Sequence, residues 1–270
     1  MLRARVLTAV IMLSAFLAAL FYLSPIFWMA LLLALTIAGS LEWTRLARFS
    51  LNHTIAYLLL TVLLAGELLF VLSSAVAVDP YTSSFLGVYF ASLIFWIFGA
   101  TIFLKSRRPV GSVILLAFIG WLVLLPTCLA LYQLRAINPL LLLGFMGAIW
   151  LSDTAAYFSG RTWGKNKLAP SISPGKTWEG VAGAFVAVLV YALFWSYGED
   201  AIPAALLIPL LLLLAALGIV GDLFESLMKR HAGLKDSGTI LPGHGGILDR
   251  IDALTSTLPV AALALLLLHT

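Results

Sequence analysis

The chain has 270 residues, of which 62% are hydrophobic and only 10% are charged, and its mean hydropathy is +1.08. So few polar side chains cannot cover a water-soluble globule, and the composition therefore predicts an integral membrane protein. A net charge of +4 could indicate nucleic-acid binding, but that requires a soluble fold with a basic face, which this composition excludes. The positive charge instead favours anionic lipids and phosphate-bearing substrates as partners.

Nine apolar runs are long enough for helices that cross the roughly 30 Å of bilayer hydrocarbon, some only with local thinning. They lie at about 6–23, 26–41, 55–78, 85–104, 110–134, 139–158, 181–197, 202–220 and 254–269. The first run resembles a signal peptide, but it is long and no small-residue cleavage site follows, so we interpret it as a transmembrane helix. The expected fold is an all-α polytopic membrane protein of about nine transmembrane helices, with residues 1–270 as a single integral membrane domain.

Lysine and arginine in the loops predict the orientation, because they accumulate on the cytoplasmic side of short loops. If the N-terminus is inside, every lysine and arginine except Arg135 also falls inside. The two longest loops, at about 159–180 and 221–253, are then cytoplasmic. We therefore expect a multi-pass protein of a bacterial-type inner (plasma) membrane, with its N-terminus and its active-site loops in the cytoplasm.

The segment 221–252 concentrates charge near the end of the chain. It holds five of the 12 acids, four of them in pairs spaced i, i+3: Asp222 with Glu225, and Asp249 with Asp252. The members of a pair share one face if their segment is helical. The turn between the pairs is rich in glycine and proline, which would let the second pair fold back against the first.

Carboxylates gathered in this way repel one another unless cations or basic side chains neutralise them. Hard oxygen ligands suit magnesium, which typically takes one or two carboxylates together with substrate phosphates. Lysines and arginines of the same segment supply charge for phosphate oxygens, a combination that is typical of phosphoryl or nucleotidyl transfer. A solvated loop whose charges neutralise one another explains the spacing equally well, so spacing alone leaves both interpretations open.

The order of residues in this segment resembles the signature of the phosphatidate cytidylyltransferase (CDP-diacylglycerol synthase) family. The matching positions are Ser226, Lys229, Arg230, Lys235, Asp236, Ser237, Gly238, Leu241, Pro242, His244, Gly245, Gly246, Asp249, Arg250 and Asp252. The earlier stretch 173–180, with the sequence SPGKTWEG, is similar to a second, shorter motif of that family. The resemblance covers most of the chain, although the first half shares with the family only its apolar, multi-span character.

The resemblance implies an enzyme that transfers the cytidylyl group from CTP to phosphatidic acid in the bilayer, giving CDP-diacylglycerol and pyrophosphate for phospholipid biosynthesis. It also implies that Asp222 and Asp249 bind Mg²⁺, with or without a second cation. Asp252 is expected to be a further ligand or to support one. Whether the chain forms a homodimer stays open.

Further residues complete the predicted site. Six residues are expected to act in catalysis, either by contacting phosphates or carboxylates or through supporting salt bridges and hydrogen bonds. They are Lys229, Arg230, Lys235, Asp236, His244 and Arg250. Substrate binding is expected for Lys176, Ser173, Arg161, Asp153 and Ser226. Asp153 lies near the predicted cytoplasmic end of its span and would reach the active-site loops. Ser173 and Thr177 are alternatively caps of the helix that begins near Trp178, and Glu67 is expected to face protein or water in a structural role.

Two other functions compete with this hypothesis. Another membrane CTP-dependent transferase, such as a polyprenol kinase, would need a similar site, but the long signature argues against it. A transporter for an anionic metabolite would use the basic loops as an electrostatic funnel. Transport predicts charged residues spread through several spans, whereas here they cluster on one predicted face of the membrane.

Overall fold

The structure is a computed structural model that describes residues 2–198, 202–240 and 245–269, with the backbone alone for residues 2–7. Within these ranges, eight helices are long and apolar enough to cross a membrane. A further helix, α1 (Leu2–Tyr22), precedes them, and its apolar part Thr8–Tyr22 is shorter. The predicted all-α polytopic membrane fold is confirmed.

The eight long helices follow the chain in order. They are α2 (Pro25–Leu46), α3 (Leu51–Val78), a broken helix Ser83–Ser106 that contains α4 (Leu86–Ile94) and α5 (Ala100–Ser106), α6 (Val113–Ile137), α7 (Pro139–Trp163), α8 (Trp178–Gly198), α9 (Ala204–Ala232) and α10 (Leu248–His269). The break between α4 and α5 is one π-helical turn, Phe95–Gly99.

Local signals other than hydropathy set several helix ends. Pro25 and Pro139 occupy the first turns of α2 and α7, where the missing N–H costs no helical hydrogen bond. The side chain of Asn138 caps α7 by accepting the N–H of Leu140 at 2.8 Å. Gly233 ends α9 with φ +71°, the left-handed conformation that favours glycine.

Helix α10 lies at the centre of the bundle. It packs against α9, α6, α4 and α7, and 72% of its apolar stretch is buried, against 22% for α8 at the periphery. The Ser256 hydroxyl donates a hydrogen bond to the Leu217 carbonyl of α9 at 2.8 Å. Gly221 of α9 lies so close to α10 that a Cβ there would come within 2.6 Å of the Asp252 carbonyl oxygen. This close approach brings the charged ends of the two helices side by side.

The loops that carry the predicted site are shorter than the sequence suggested. The stretch 221–232, predicted as loop, is the last part of α9, and α10 begins at Leu248, so the loop itself is 233–247. Likewise α7 continues to Trp163, and the two antiparallel strands β1 (Lys167–Ala169) and β2 (Ser173–Thr177) form a hairpin before α8. The helices extend beyond their apolar runs because the polar residues there contact protein groups rather than lipid.

Candidate active site

Two carboxylate pairs meet where α9 packs against α10. Asp222 and Glu225 lie one turn apart on α9, and Asp249 and Asp252 lie one turn apart at the start of α10. Lys229 joins the pairs, because its Nζ is 2.8 Å from Glu225 Oε2 and 2.6 Å from Asp249 Oδ1. The second pair therefore folds back against the first, as predicted, and Lys229 forms one of the expected structural salt bridges.

Asp249 is held by donors on both of its carboxylate oxygens. Oδ1 accepts the Lys229 ammonium, and Oδ2 accepts the N–H groups of Ser237 at 2.9 Å and of Gly246 at 2.8 Å. The Ser237 hydroxyl lies 3.0 Å from the same Oδ2. The first turn of a helix also favours an anion. These contacts fix the orientation of the carboxylate and stabilise its charge.

A cavity of about 640 Å³ opens between α7, α8, α9, α10 and the hairpin. Its volume falls within the range of roughly 300–1,000 Å³ that is usual for ligand sites. The acidic residues that line it are Asp153, Asp222, Asp249 and Asp252. Asp153 of α7 thus reaches the carboxylates of α9 and α10, as expected, and its part in substrate binding stays a prediction.

Three basic residues also line the cavity. Lys176 of β2 forms an ion pair with Asp222, and Arg161 and Lys167 also line the cavity. The Arg161 guanidinium donates a hydrogen bond to the Tyr157 hydroxyl at 2.8 Å. The cavity therefore presents carboxylates on α9 and α10 and cations on the hairpin and the end of α7.

The SPGKTWEG motif builds the junction between the hairpin and α8. The Thr177 hydroxyl accepts the N–H of Gly180 at 3.1 Å, so the predicted cap at Thr177 is confirmed. Glu179 accepts both the N–H and the side-chain amide of Asn166, at 3.2 and 2.8 Å. Ser173 lies in β2 and lines the cavity, so its alternative role as a cap is wrong. Thr177 and Glu179 thus have structural roles.

The donor set suits a hard divalent cation. Asp222, Asp249 and Asp252 present oxygen atoms to one cavity, and Glu225 Oε1 is buried without a hydrogen-bond partner among the described residues. Over the same residues, no group of three or more acids, histidines or cysteines is placed so that it could hold a metal ion by itself, so a cation here would depend on ligands from outside the protein. This arrangement fits magnesium, which binds one or two carboxylates and completes its shell with water and substrate phosphates.

The remaining predicted site residues that the structure describes do not line the cavity. Ser226 Oγ lies 3.4 Å from Asp222 Oδ1, and Arg230 Nε donates to the Ile172 carbonyl in the hairpin turn at 3.3 Å. Four of the predicted site residues are exposed and do not line the cavity: Arg230, Lys235, Asp236 and Arg250. His244 lies outside the described residues. The catalytic and substrate-binding roles expected for these residues stay predictions.

The sequence analysis missed one acid that contacts the site segment. Glu42 of α2 is fully buried and accepts hydrogen bonds from Ser237, Ile247 and Leu248. Its signal in the sequence is an acid between Leu41 and Trp43, directly after the predicted second span, which ends at residue 41.

Glu67 is exposed on α3, and among the described residues none donates a hydrogen bond to it. Its structural role stays a prediction.

Comparisons with known proteins show the family of this chain. A sequence model of the cytidylyltransferase family matches residues 3–268. The phosphatidate cytidylyltransferase of Pseudomonas aeruginosa is 37% identical and that of Haemophilus influenzae 34% identical, over 97% and 96% of this chain and 96% of each relative. The phosphatidate cytidylyltransferase of Bacillus subtilis is 51% identical over 41% of this chain and 42% of its own length. The chain therefore belongs to the cytidylyltransferase family.

Proposed function

We propose that the protein transfers the cytidylyl group of CTP to phosphatidic acid, and that the products are CDP-diacylglycerol and pyrophosphate. The observation that carries the proposal is the convergence of four aspartates and three basic residues on one cavity between apolar, membrane-crossing helices. The two full-length relatives, both named phosphatidate cytidylyltransferase, support this choice of substrates.

The reaction makes electrostatic rather than acid–base demands. A phosphate oxygen of phosphatidic acid bonds to the α-phosphorus of CTP, and the bond from that phosphorus to the oxygen bridging to the β-phosphate breaks to release pyrophosphate. A phosphate monoester has a second pKa of about 6, so the nucleophile arrives ionised and needs no strong general base. Because both reactants are anions, the protein has to offset their charge and hold them in line.

Each part of the site has a place in this scheme. Asp222 and Asp249 would hold Mg²⁺, with Asp252 as a further or supporting ligand, and the cation would neutralise phosphate charge as it builds up during transfer. Lys176 then exchanges its ion pair with Asp222 for a phosphate of CTP. Lys229 stays on Asp249 and keeps that carboxylate oriented.

The proposal also includes a location. We place the protein in a bacterial-type inner membrane with its N-terminus and the cavity on the cytoplasmic side, where CTP is made. The distribution of lysine and arginine among the loops supports this orientation. The bacterial origin of the relatives supports the choice of membrane.

One assay tests the proposed chemistry and separates it from a lipid kinase. Purified protein in detergent is incubated with phosphatidic acid, Mg²⁺ and CTP that is radiolabelled at either the α- or the γ-phosphate. We expect α-label in the lipid fraction, γ-label in pyrophosphate, and neither without the divalent metal. Transfer of γ-label to lipid would indicate a kinase, and no metal-dependent labelled lipid from either CTP would refute the proposal.

A further inference from the structure

Glu42 has no role in the proposed chemistry, yet its carboxylate is completely enclosed. Its Oε1 accepts the N–H of Ile247 at 2.9 Å, and its Oε2 accepts the N–H of Leu248 at 2.8 Å and the hydroxyl of Ser237 at 2.9 Å. A buried carboxylate is costly unless donors of this kind surround it. The three donors all belong to the loop before α10 or to the start of α10, so one side chain of α2 ties both ends of that loop.

One of these donors, the Ser237 hydroxyl, also contacts Asp249. The Ser237 hydroxyl lies between the two carboxylates, 2.9 Å from Glu42 Oε2 and 3.0 Å from Asp249 Oδ2. It has one proton and therefore donates to one of them at a time. Leu248, whose N–H binds Glu42, directly precedes Asp249 in the chain. Glu42 thus fixes the backbone that carries Asp249 and the hydroxyl that contacts it.

The backbone at residues 238 and 246 passes close to Glu42. A Cβ added at Gly238 or at Gly246 would collide with the Glu42 carboxylate. Both glycines therefore let the backbone pass directly over this side chain, and Gly246 also donates its N–H to Asp249 Oδ2. The contacts of Glu42 and those of Asp249 form one continuous network.

We propose that Glu42 is a positioning residue that aims Asp249 into the cavity by holding the Ser237 hydroxyl and the first N–H groups of α10. It does not contact the substrates, and it acts through the geometry of the Asp249 carboxylate. The inference rests on the proposed function, because Asp249 is a predicted ligand of the metal.

Glu42→Gln is the direct test, since it keeps the volume and turns one accepting oxygen into an amide that cannot accept an N–H. Loss of a group that orients a metal ligand typically costs about 10- to 100-fold in metal affinity or activity. We expect a fall of that size in kcat, a matching rise in the Mg²⁺ concentration for half-maximal rate, and little change in KM for CTP at saturating Mg²⁺. The matched control is Glu67→Gln, an acid of a neighbouring helix outside this network, which should behave as wild type.

A second readout does not depend on activity. Lys235 is exposed in the loop 233–247, so trypsin cleavage after it reports how firmly the loop is held. We expect faster cleavage in Glu42→Gln than in wild type or Glu67→Gln. If Glu42→Gln melts at a lower temperature but keeps the wild-type kcat, Mg²⁺ dependence and cleavage rate, the proposal is overturned, because Glu42 would then have a structural role only.

Ser237→Ala keeps the proposal testable if Glu42→Gln does not fold. It removes only the shared hydroxyl and should also raise the Mg²⁺ requirement, whereas wild-type Mg²⁺ dependence would overturn the proposal. If both variants fold, their effects on kcat should be less than additive in the double variant, because both act through Asp249. If wild-type protein makes no CDP-lipid while Glu42→Gln still accelerates cleavage, the proposed function fails and the hold of Glu42 on the loop stands.

Discussion

Asp222→Asn separates the chemical role of the site from its structural role. The substitution keeps the shape of the side chain and removes its charge, its ion pair with Lys176 and its use as a metal ligand. The side chains of Asp222 and Lys176 are 30% and 24% exposed, respectively. An ion pair so accessible to solvent contributes only about 0–1 kcal/mol to stability. A change of 1 kcal/mol shifts Tm by roughly 2–4 °C in proteins of 150–250 residues, so we expect a small shift.

The expected loss of activity is much larger. Removing one group that stabilises transition-state charge costs about 10²–10³ in kcat, and loss of metal affinity adds to it. We therefore expect kcat/KM to fall at least about 10³-fold, which corresponds to about 4 kcal/mol of transition-state stabilisation. The loss of catalysis should greatly exceed any loss of stability.

The measurements are the rate of lipid labelling over a Mg²⁺ titration and thermal melting in detergent. Asp79→Asn is the matched control, because Asp79 is exposed, lies beyond the end of α3 and accepts the N–H of Tyr81 at 2.9 Å, outside the cavity. It should keep full activity. Near-normal turnover of Asp222→Asn at saturating Mg²⁺ would show that Asp222 is not a ligand.

Three further outcomes are expected. Lys176→Gln should raise KM for CTP about 10-fold, since a hydrogen bond to a charged group contributes about 1.5–3 kcal/mol. It should also tighten Mg²⁺ binding, measured by calorimetry, because the ammonium group that competes for Asp222 is gone. If KM and Mg²⁺ affinity both stay unchanged, Lys176 does not exchange Asp222 for CTP. Asp249→Asn should lower stability by about 1.5–3 kcal/mol in thermal melting, because Lys229 loses one of its two carboxylate partners, in a pair with side chains only 13% and 6% exposed, and keeps only Glu225. A melting temperature equal to that of Asp222→Asn would argue against it. Lys235→Cys should react with a membrane-impermeant thiol reagent only from the cytoplasmic side. The native Cys128 is buried and should give little background labelling. Labelling of Lys235→Cys from outside would show that the orientation is the reverse of the one proposed.

The membrane helices were predictable because the bilayer imposes one simple rule on the sequence. Every backbone polar group in hydrocarbon needs an internal partner, so a long apolar run becomes a helix whatever its neighbours are. The i, i+3 spacing of Asp222 and Glu225, and of Asp249 and Asp252, was informative for a similar reason, since helical geometry alone puts such residues on one face.

Helix ends and long-range contacts were harder to predict. The apolar run ends where polar residues begin, but α9 continues through Glu225 and Lys229 because Lys229 finds polar partners in Glu225 of α9 and Asp249 of α10. The hairpin was missed because its strands have three and five residues and contain Pro174 and Gly175, which weaken any strand pattern.

Glu42 was missed because nothing near it in the chain reveals its partners. The sequence marks it only as an acid beside Trp43, while its donors come from the last helix and the loop before it. A spacing rule works within one helix, and contacts between distant segments need the packed bundle. The sequence therefore predicted the acids that gather on α9 and α10 and not the acid on α2 that holds their loop.

The distance between Glu42 and its donors has a consequence for biosynthesis. Ser237, Ile247 and Leu248 follow it by 195, 205 and 206 residues. At about 5–20 residues per second, a ribosome needs roughly 10–40 s to make that stretch. During this interval α2 enters the membrane with an acid whose partners do not yet exist. Ser237, Ile247 and Leu248 can contact that acid only after they have been made, so the nascent chain cannot acquire its complete site before α10 begins to form.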